Sequence, residues 1–274
     1  MGFRYHRLSC RRVLMVLYLT VLLFGPVSCA TTRSGMPSGD TGRLMSIGEN
    51  YLAAGEYGAA LRYLKAAERK GEKSPNLYYD IALAYKGRGF TDRAYEYLLK
   101  ALDRKKDYPE AHNALGALLA EQGRLSEAEA EFRKALEDPF YQTPHFAAFN
   151  LGHLYYRQGK YKEAKKYFQE AIDLAPNYPQ AHFELGRTLE MLGDKKKAWL
   201  EYKEAVQYAP RWAEAHFHYG RLSYQFGKMV TARYSFEQVI KLAPDTEIAK
   251  AASAYLKEIE ASSLKDSLKG LSGK

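Results

Sequence analysis

Small, large and polar residues recur along this chain at a spacing of 34 residues, with one interval of 36. In each period the eighth position is small, the fifteenth is glycine, the twentieth is alanine and the twenty-fourth is large and apolar. The six periods start at Thr41, Pro75, Pro109, His145, Pro179 and Ala213. Self-similarity at such a spacing is the signature of a solenoid of repeated units.

Each period divides into two helices joined by a tight turn. Glycine at the fifteenth position suits the left-handed conformation that ends a helix. Small residues at positions eight and twenty let two antiparallel helices approach closely, and proline in a first turn, as at Pro75 and Pro179, costs no hydrogen bond. The pattern predicts an all-α fold, a right-handed solenoid of six helical hairpins over residues 41–244 that share a core with their neighbours.

The C-terminal residues differ from the repeats. Ile248, Ala252, Tyr255 and Ile259 fall on one helical face, which predicts an amphipathic capping helix over residues 245–262. Residues 263–274 are rich in serine, glycine and lysine, and we expect them to form a short tail.

The N-terminus resembles a bacterial lipoprotein signal. Four arginines precede an apolar stretch at residues 13–24, which is shorter than the roughly 20 residues that span a membrane. Val27 and Ser28 precede Cys29 as in that signal, although Pro26 stands where the family favours leucine. We expect a signal peptide over residues 1–28, lipid attachment at Cys29 and a flexible tether over residues 29–40. The alternatives are cleavage after Ala30 by ordinary signal peptidase, followed by secretion, and an uncleaved anchor.

No motif for catalysis, phosphate binding or metal binding stands out in the sequence. His112, His182 and His216 recur at whole-repeat intervals, so we expect them to serve in packing and not to converge on a metal. Removal of residues 1–28 lowers the net charge from +9 to +5, which gives little support for nucleic-acid binding. The expectation is a protein that is not an enzyme and has no cofactor, metal or small-molecule substrate.

The positional pattern is similar to that of the tetratricopeptide repeat. The resemblance implies that the first helix of each hairpin lines a concave groove with positions 2, 5, 9, 12 and 13. In repeats four to six these positions would present a phenylalanine ladder beside a basic ladder. The predicted groove residues are Phe149, His153, Tyr156, Phe183, Arg187, Phe217, Arg221 and Tyr224.

Exposed aromatic and arginine side chains are typical interface anchors, so we expect a bound protein segment with apolar and acidic side chains. The alternative is that the phenylalanines only pack against the next hairpin.

The longer interval between repeats three and four contains two prolines that bracket two aromatic residues. Its residues are Asp138, Pro139, Phe140, Tyr141, Gln142, Thr143 and Pro144. We expect a stiff junction that packs on the solenoid. The alternative is a tolerated loop insertion.

This junction, the six repeats and the lipoprotein signal together resemble the type IV pilus biogenesis and stability lipoproteins, or pilotins. The resemblance implies a lipid-anchored protein on the periplasmic face of the bacterial outer membrane that binds a secretin subunit and promotes assembly of that channel. The alternative is a generic envelope adaptor for polysaccharide export or for peptidoglycan-processing enzymes.

Overall fold

The structure, a computed structural model, describes residues 39–272, with side chains through residue 263. Thirteen helices follow one another in this part of the chain, and it contains no strand. The first helices of the six hairpins are α1 (Thr41–Ala53), α3 (Pro75–Gly87), α5 (Pro109–Glu121), α7 (Pro144–Arg157), α9 (Pro179–Met191) and α11 (Ala213–Gln225). The second helices are α2 (Tyr57–Arg69), α4 (Thr91–Arg104), α6 (Leu125–Glu137), α8 (Tyr161–Leu174), α10 (Lys195–Tyr208) and α12 (Met229–Leu242), and α13 (Glu247–Ser272) follows them.

Glycine and proline set the helix boundaries, as the sequence predicts. The glycine at the fifteenth position of each repeat has a positive φ, for example 83° at Gly193, which reverses the chain between the two helices of a hairpin. Pro75, Pro109 and Pro179 each begin a first helix. The local chemistry therefore fixes where each helix starts and stops.

The small residue at the eighth position lets the two helices of a hairpin touch. A Cβ atom added to Gly152 would lie 2.6 Å from the ring of Phe168, and one added to Gly186 would lie 2.8 Å from the ring of Tyr202. The large residue at the twenty-fourth position thus fills the space that glycine leaves open. This close fit explains why both positions keep their character in every repeat.

Neighbouring hairpins share one core. A continuous cluster of buried apolar residues extends from Leu44 in α1 to Leu222 in α11. A second cluster joins Phe236 in α12 to the last helix, where Tyr255 stacks on the Phe236 ring at 4.7 Å between centroids. The predicted all-α solenoid of helical hairpins with a C-terminal capping helix is confirmed.

The last helix is longer than the sequence suggests. Helix α13 extends from Glu247 to Ser272, so residues 263–272, which we predicted to be a tail, continue the helix. Their composition of lysine, leucine and serine is compatible with helix, and no proline interrupts it. The predicted signal peptide and Cys29, and most of the predicted tether, lie outside the described residues. No helix among the described residues is long and apolar enough to cross a membrane.

Candidate partner-binding groove

The first helices line the inner face of the solenoid. Helix α1 contacts α3, α5 contacts α7, and α7 contacts α9, whereas successive second helices of the described residues make no comparable contact with one another. Elements that approach each other more closely lie on the inside of a curved stack. The side chains at positions 5, 9 and 12 of each repeat are therefore candidates for a groove.

In repeat four, three of the predicted residues lie together on this face. Phe149 is half-buried, and its ring centroid lies 4.8 Å from that of His153 and 5.1 Å from that of Tyr178. The side chain of His153 is 40% exposed. Tyr156 contacts Tyr161 at 5.3 Å and carries the Arg187 guanidinium over its ring at 5.1 Å. The structure thus brings Phe149, His153 and Tyr156 together as a partly exposed surface.

Phe183 is not part of that surface. It is only 2% exposed, because it packs between Tyr202 of its own hairpin at 5.5 Å and Trp212, the residue directly before repeat six, at 4.5 Å. The prediction that Phe183 faces solvent is therefore wrong. The alternative prediction, that this ring packs against the next hairpin, is correct here. Sequence spacing could not show this, because the covering residue is Trp212, just before the next repeat.

Phe217 and Tyr224 of repeat six contact the last helix. Phe217 is half-buried, and Tyr255 lies 6.4 Å from its ring centroid. The Tyr224 hydroxyl donates a hydrogen bond of 2.9 Å to Glu258. Both residues keep some exposure, but they are held by α13 and form the C-terminal end of the groove.

Carboxylates partner the basic residues of the groove. Arg187 donates to Glu184 at 3.1 Å, and His153 lies 3.8 Å from the same carboxylate. Burial lowers the pKa of His153, and Arg187 and Arg157 lower it further, against the attraction of Glu184. His153 is therefore neutral at neutral pH.

The third member of the predicted ladder, Arg221, donates to Glu190 at 2.7 Å, and the Tyr202 hydroxyl donates to the same oxygen at 2.7 Å. Burial opposes ionisation of Glu190, but His218, Arg221 and Tyr202 together lower its pKa to about 2. Glu190 is thus a fixed anion, and the basic ladder is neutralised within the groove. Its attraction for acidic side chains is weaker than the sequence alone suggests.

Sequence reasoning missed the sixth position of the repeat. Glu184 and His218 occupy it in repeats five and six, and Asp80 occupies it in repeat two. Asp80 is half-buried, and burial together with the nearby Glu49 carboxylate raises its pKa to about 7. The sequence did offer a signal for these residues, because position 6 is polar in these repeats and directly follows position 5, which was predicted to line the groove.

The junction between repeats three and four is half packed and half exposed. Tyr141 is 6% exposed and packs with Ala135 and Ala147, as predicted for this segment. Phe140 is 83% exposed, and its backbone N–H donates to the Asp138 carboxylate at 2.8 Å.

The last two residues of the junction form the start of α7. Pro144 begins α7, and the Thr143 carbonyl accepts a hydrogen bond from the Phe146 N–H at 3.1 Å. An open cavity of about 710 Å³ lies beside Asp138 and Pro139, with Leu99 and Leu115 in its wall.

The three repeated histidines pack separately. His112 and His182 each contact a glutamate through Nδ1, at 2.5 Å for Glu131 and 2.8 Å for Glu201, and a backbone carbonyl through Nε2. His216 contacts the Pro210 carbonyl at 3.0 Å. Each histidine thus lies in its own hairpin and contacts, through Nε2, the loop that precedes that hairpin, so the three do not converge on one site.

Comparison with known proteins agrees with this architecture. A model described as tetratricopeptide repeat matches residues 79–141 and 149–210, and a second model with the same description matches residues 214–246. Together these segments cover more than half of the chain.

Two curated relatives match over short segments. DnaJ homolog subfamily C member 3 of Rattus norvegicus is 33% identical over 98 residues, which is 36% of this chain and 19% of that protein. Protein O-mannosyl-transferase TMTC2 of Homo sapiens is 36% identical over 103 residues, which is 36% of this chain and 12% of that protein. The chain spans about a fifth or less of these relatives.

Two solved structures match over nearly their whole length. PilW, described as a widely conserved type IV pilus biogenesis factor, has a TM-score of 0.69 and 25% identity, over 77% of this chain and 97% of that chain. The structure from a functional characterisation of pilF of Pseudomonas aeruginosa has a TM-score of 0.71 and 24% identity, over 78% and 97%. The family models that match indicate no catalytic family. The chain belongs to the tetratricopeptide repeat family.

Proposed function

We propose that this protein is a lipid-anchored scaffold that promotes assembly, targeting or stability of the type IV pilus outer-membrane secretin. The observation that carries the proposal is the match to PilW, which extends over 97% of that chain. The junction of Asp138 to Pro144 and the predicted lipid on Cys29 support the same assignment.

The groove of repeats four to six would supply the contact. Phe149, His153 and Tyr156 offer partly exposed rings on a surface that α7 holds rigidly. Aromatic rings that remain partly exposed on a fixed backbone bind a partner segment with little loss of side-chain entropy. Because Glu184 and Glu190 neutralise the nearby cations, we infer that the segment binds through apolar side chains and hydrogen bonds more than through its charge.

The function would be physical and not chemical. A lipid on Cys29 would hold the scaffold at the outer membrane, on its periplasmic face, and a tether would let the groove search for nascent secretin subunits there. Confinement to a surface raises the effective concentration of a partner without adding any contact.

A deletion strain tests the proposal. We expect it to lose secretin multimers and twitching motility, and the wild-type chain to restore both. A strain that keeps normal secretin rings after deletion would refute the pilus assignment.

A groove variant then tests the surface. Tyr156→Ala combined with His153→Ala keeps the Arg187–Glu184 pair and should weaken secretin binding by ~2 kcal/mol, or roughly 30-fold. Tyr234→Ala, at a side chain that is 57% exposed on the second helix of repeat six, is the matched control and should bind as the wild type does.

A further inference from the structure

Lysines are concentrated at one edge of repeats five and six. Lys195, Lys196 and Lys197 occupy the first turn of α10, and Lys228 directly precedes α12. Asp194 is the acidic residue in these two turns, and it already pairs with Lys197 at 3.0 Å. The edge therefore carries a net positive charge that its own residues do not neutralise.

These lysines work against helix stability. The N-terminal end of a helix carries a partial positive charge, so cations in the first turn are unfavourable there. The second helices of repeats two to four follow the rule, with Asp92 in α4, Glu127 in α6 and Glu163 in α8. Helices α2, α10 and α12 have no acidic residue in the first turn, and of these α10 alone places three lysines there. Residues that disfavour the local secondary structure are expected at functional surfaces.

Exposed apolar side chains stand among these lysines. Val230 is 85% exposed, and Phe226, Met229 and Leu192 are 41%, 39% and 38% exposed. A Cβ atom added to Gly193 or Gly227 would meet nothing within 4 Å, so the turn tips project into open space.

The two turns also form a single edge. Lys195 of one turn donates to Gln225 at the next turn at 3.3 Å, and Lys228 lies 4.9 Å from the ring of Trp199. Four lysines and four apolar residues are thus presented side by side. We call this set, Lys195, Lys196, Lys197, Lys228, Leu192, Phe226, Met229 and Val230, the lysine edge.

We propose that the lysine edge docks onto the surface of an anionic phospholipid bilayer. Lysine ammonium groups attract phosphate headgroups, and the exposed apolar side chains between them would enter the boundary between headgroups and acyl chains. This contact does not require a lipid on Cys29 and goes beyond the proposed secretin function. It would orient the solenoid at the membrane, whereas an acyl anchor alone leaves it free to rotate.

The shape of the edge favours a bilayer over an acidic protein segment. The apolar side chains stand on projecting turn tips and not in a cleft, which suits contact with a broad, flat surface. An acidic segment would find positive charge but no enclosed site for its own apolar residues.

The test uses the full chain with Cys10→Ser, Cys29→Ser and Val230→Cys, which carries a polarity-sensitive dye at residue 230. It is mixed with vesicles of phosphatidylcholine alone or with added phosphatidylglycerol. We expect a blue shift of the dye with the phosphatidylglycerol vesicles, reversed by high salt. Lys195→Glu, Lys196→Glu and Lys228→Glu together should abolish the shift and lower vesicle partitioning at least about tenfold.

A matched triple change at lysines elsewhere, Lys106→Glu, Lys241→Glu and Lys257→Glu, alters the net charge equally and should keep both signals. Folding of the edge variant is checked by circular dichroism, and glutamate in the first turn of α10 favours the helix. The proposal is wrong if the dye stays in water while the chain is bound to vesicles. It is also wrong if the two triple variants lose binding equally, or if the dye shifts only when an envelope protein is added.

Discussion

Aromatic side chains at equivalent positions of this solenoid have different roles because their neighbours differ. Phe149 keeps an exposed edge beside His153, Phe183 is covered by Trp212, and Phe217 packs on the last helix. Phe149 and Phe183 meet Tyr178 and Trp212, the residues directly before the next hairpin, whereas Phe217 meets Tyr255 of α13, so the exposure of each ring depends on a different neighbour. One column of the repeat therefore contains both core and groove residues.

Truncation of Phe183 should act on stability. Phe183→Ala leaves a cavity between Tyr202 and Trp212, and we expect it to lower the free energy of unfolding by about 3–5 kcal/mol. Phe146→Ala, at a ring that is 41% exposed, is the control and should cost far less. Urea denaturation measures both, and equal costs would contradict the buried role of Phe183.

Repeat six lacks a hydrogen bond that repeats three and five possess. Ser235 stands where those repeats have Glu131 and Glu201, and both His216 Nδ1 and Ser235 Oγ are buried without a hydrogen-bond partner among the described residues. Ser235→Glu should restore the pair and raise the free energy of unfolding by about 1 kcal/mol at mildly acidic pH.

Denaturation at two pH values checks this prediction. Burial lowers the pKa of His216 in the present protein, so the gain depends on a histidine that the new carboxylate makes easier to protonate. The gain should therefore diminish above neutral pH. An unchanged or lowered stability for Ser235→Glu at acidic pH would contradict this account of repeat six.

At the scale of helices, histidine–glutamate pairs join the two helices of a hairpin. His182 of α9 contacts Glu201 of α10 at 2.8 Å. Burial lowers the pKa of His182, but the hydrogen bonds to Glu201 and to the Pro176 carbonyl outweigh burial, so the pKa lies above the ordinary value of 6.5. Protonation of His182 therefore strengthens the contact between the two helices of repeat five.

This pair predicts a pH dependence of stability with a definite sign. Because the pKa of His182 is raised on folding, its contribution is complete below the unfolded value of 6.5 and is lost as the pH rises through the folded value. His182→Gln should therefore reduce the free energy of unfolding more at about pH 5.5 than at about pH 8.5.

The wild type and His182→Gln are compared at the same pH, so that the difference in free energy of unfolding reports on His182 alone. His153 and His216, whose lowered pKa values act in the opposite direction, are present in both proteins. Chemical denaturation at the two pH values gives the difference. A larger loss at the alkaline pH would show that the sign is wrong.

Across the whole molecule, the periodic residues were sufficient to predict the fold but not the groove's character. Glycine at position fifteen and the small residue at position eight act within one hairpin, so their meaning can be deduced from spacing alone. The burial of Phe183 and the pairing of Arg221 with Glu190 depend on contacts between repeats. Such contacts require the curvature of the stack, which residue spacing does not specify.

The last helix was predicted only in part. The apolar face of Ile248 to Ile259 predicted a cap, and it packs on Phe236 as expected. Its extension to Ser272 has leucines at positions 264, 268 and 271, which is the i, i+4, i+7 spacing of a helix, and the prediction of a tail from serine, glycine and lysine content overlooked that signal.

The central claim is that the groove of repeats four to six holds a secretin segment, and crosslinking in cells tests it most directly. A photo-reactive phenylalanine analogue replaces Tyr156 in the groove or, as the control, Tyr234 on a second helix. After irradiation we predict a crosslinked product that contains the secretin subunit from position 156 and none from position 234. No secretin product from position 156, or equal amounts from both positions, would contradict the account.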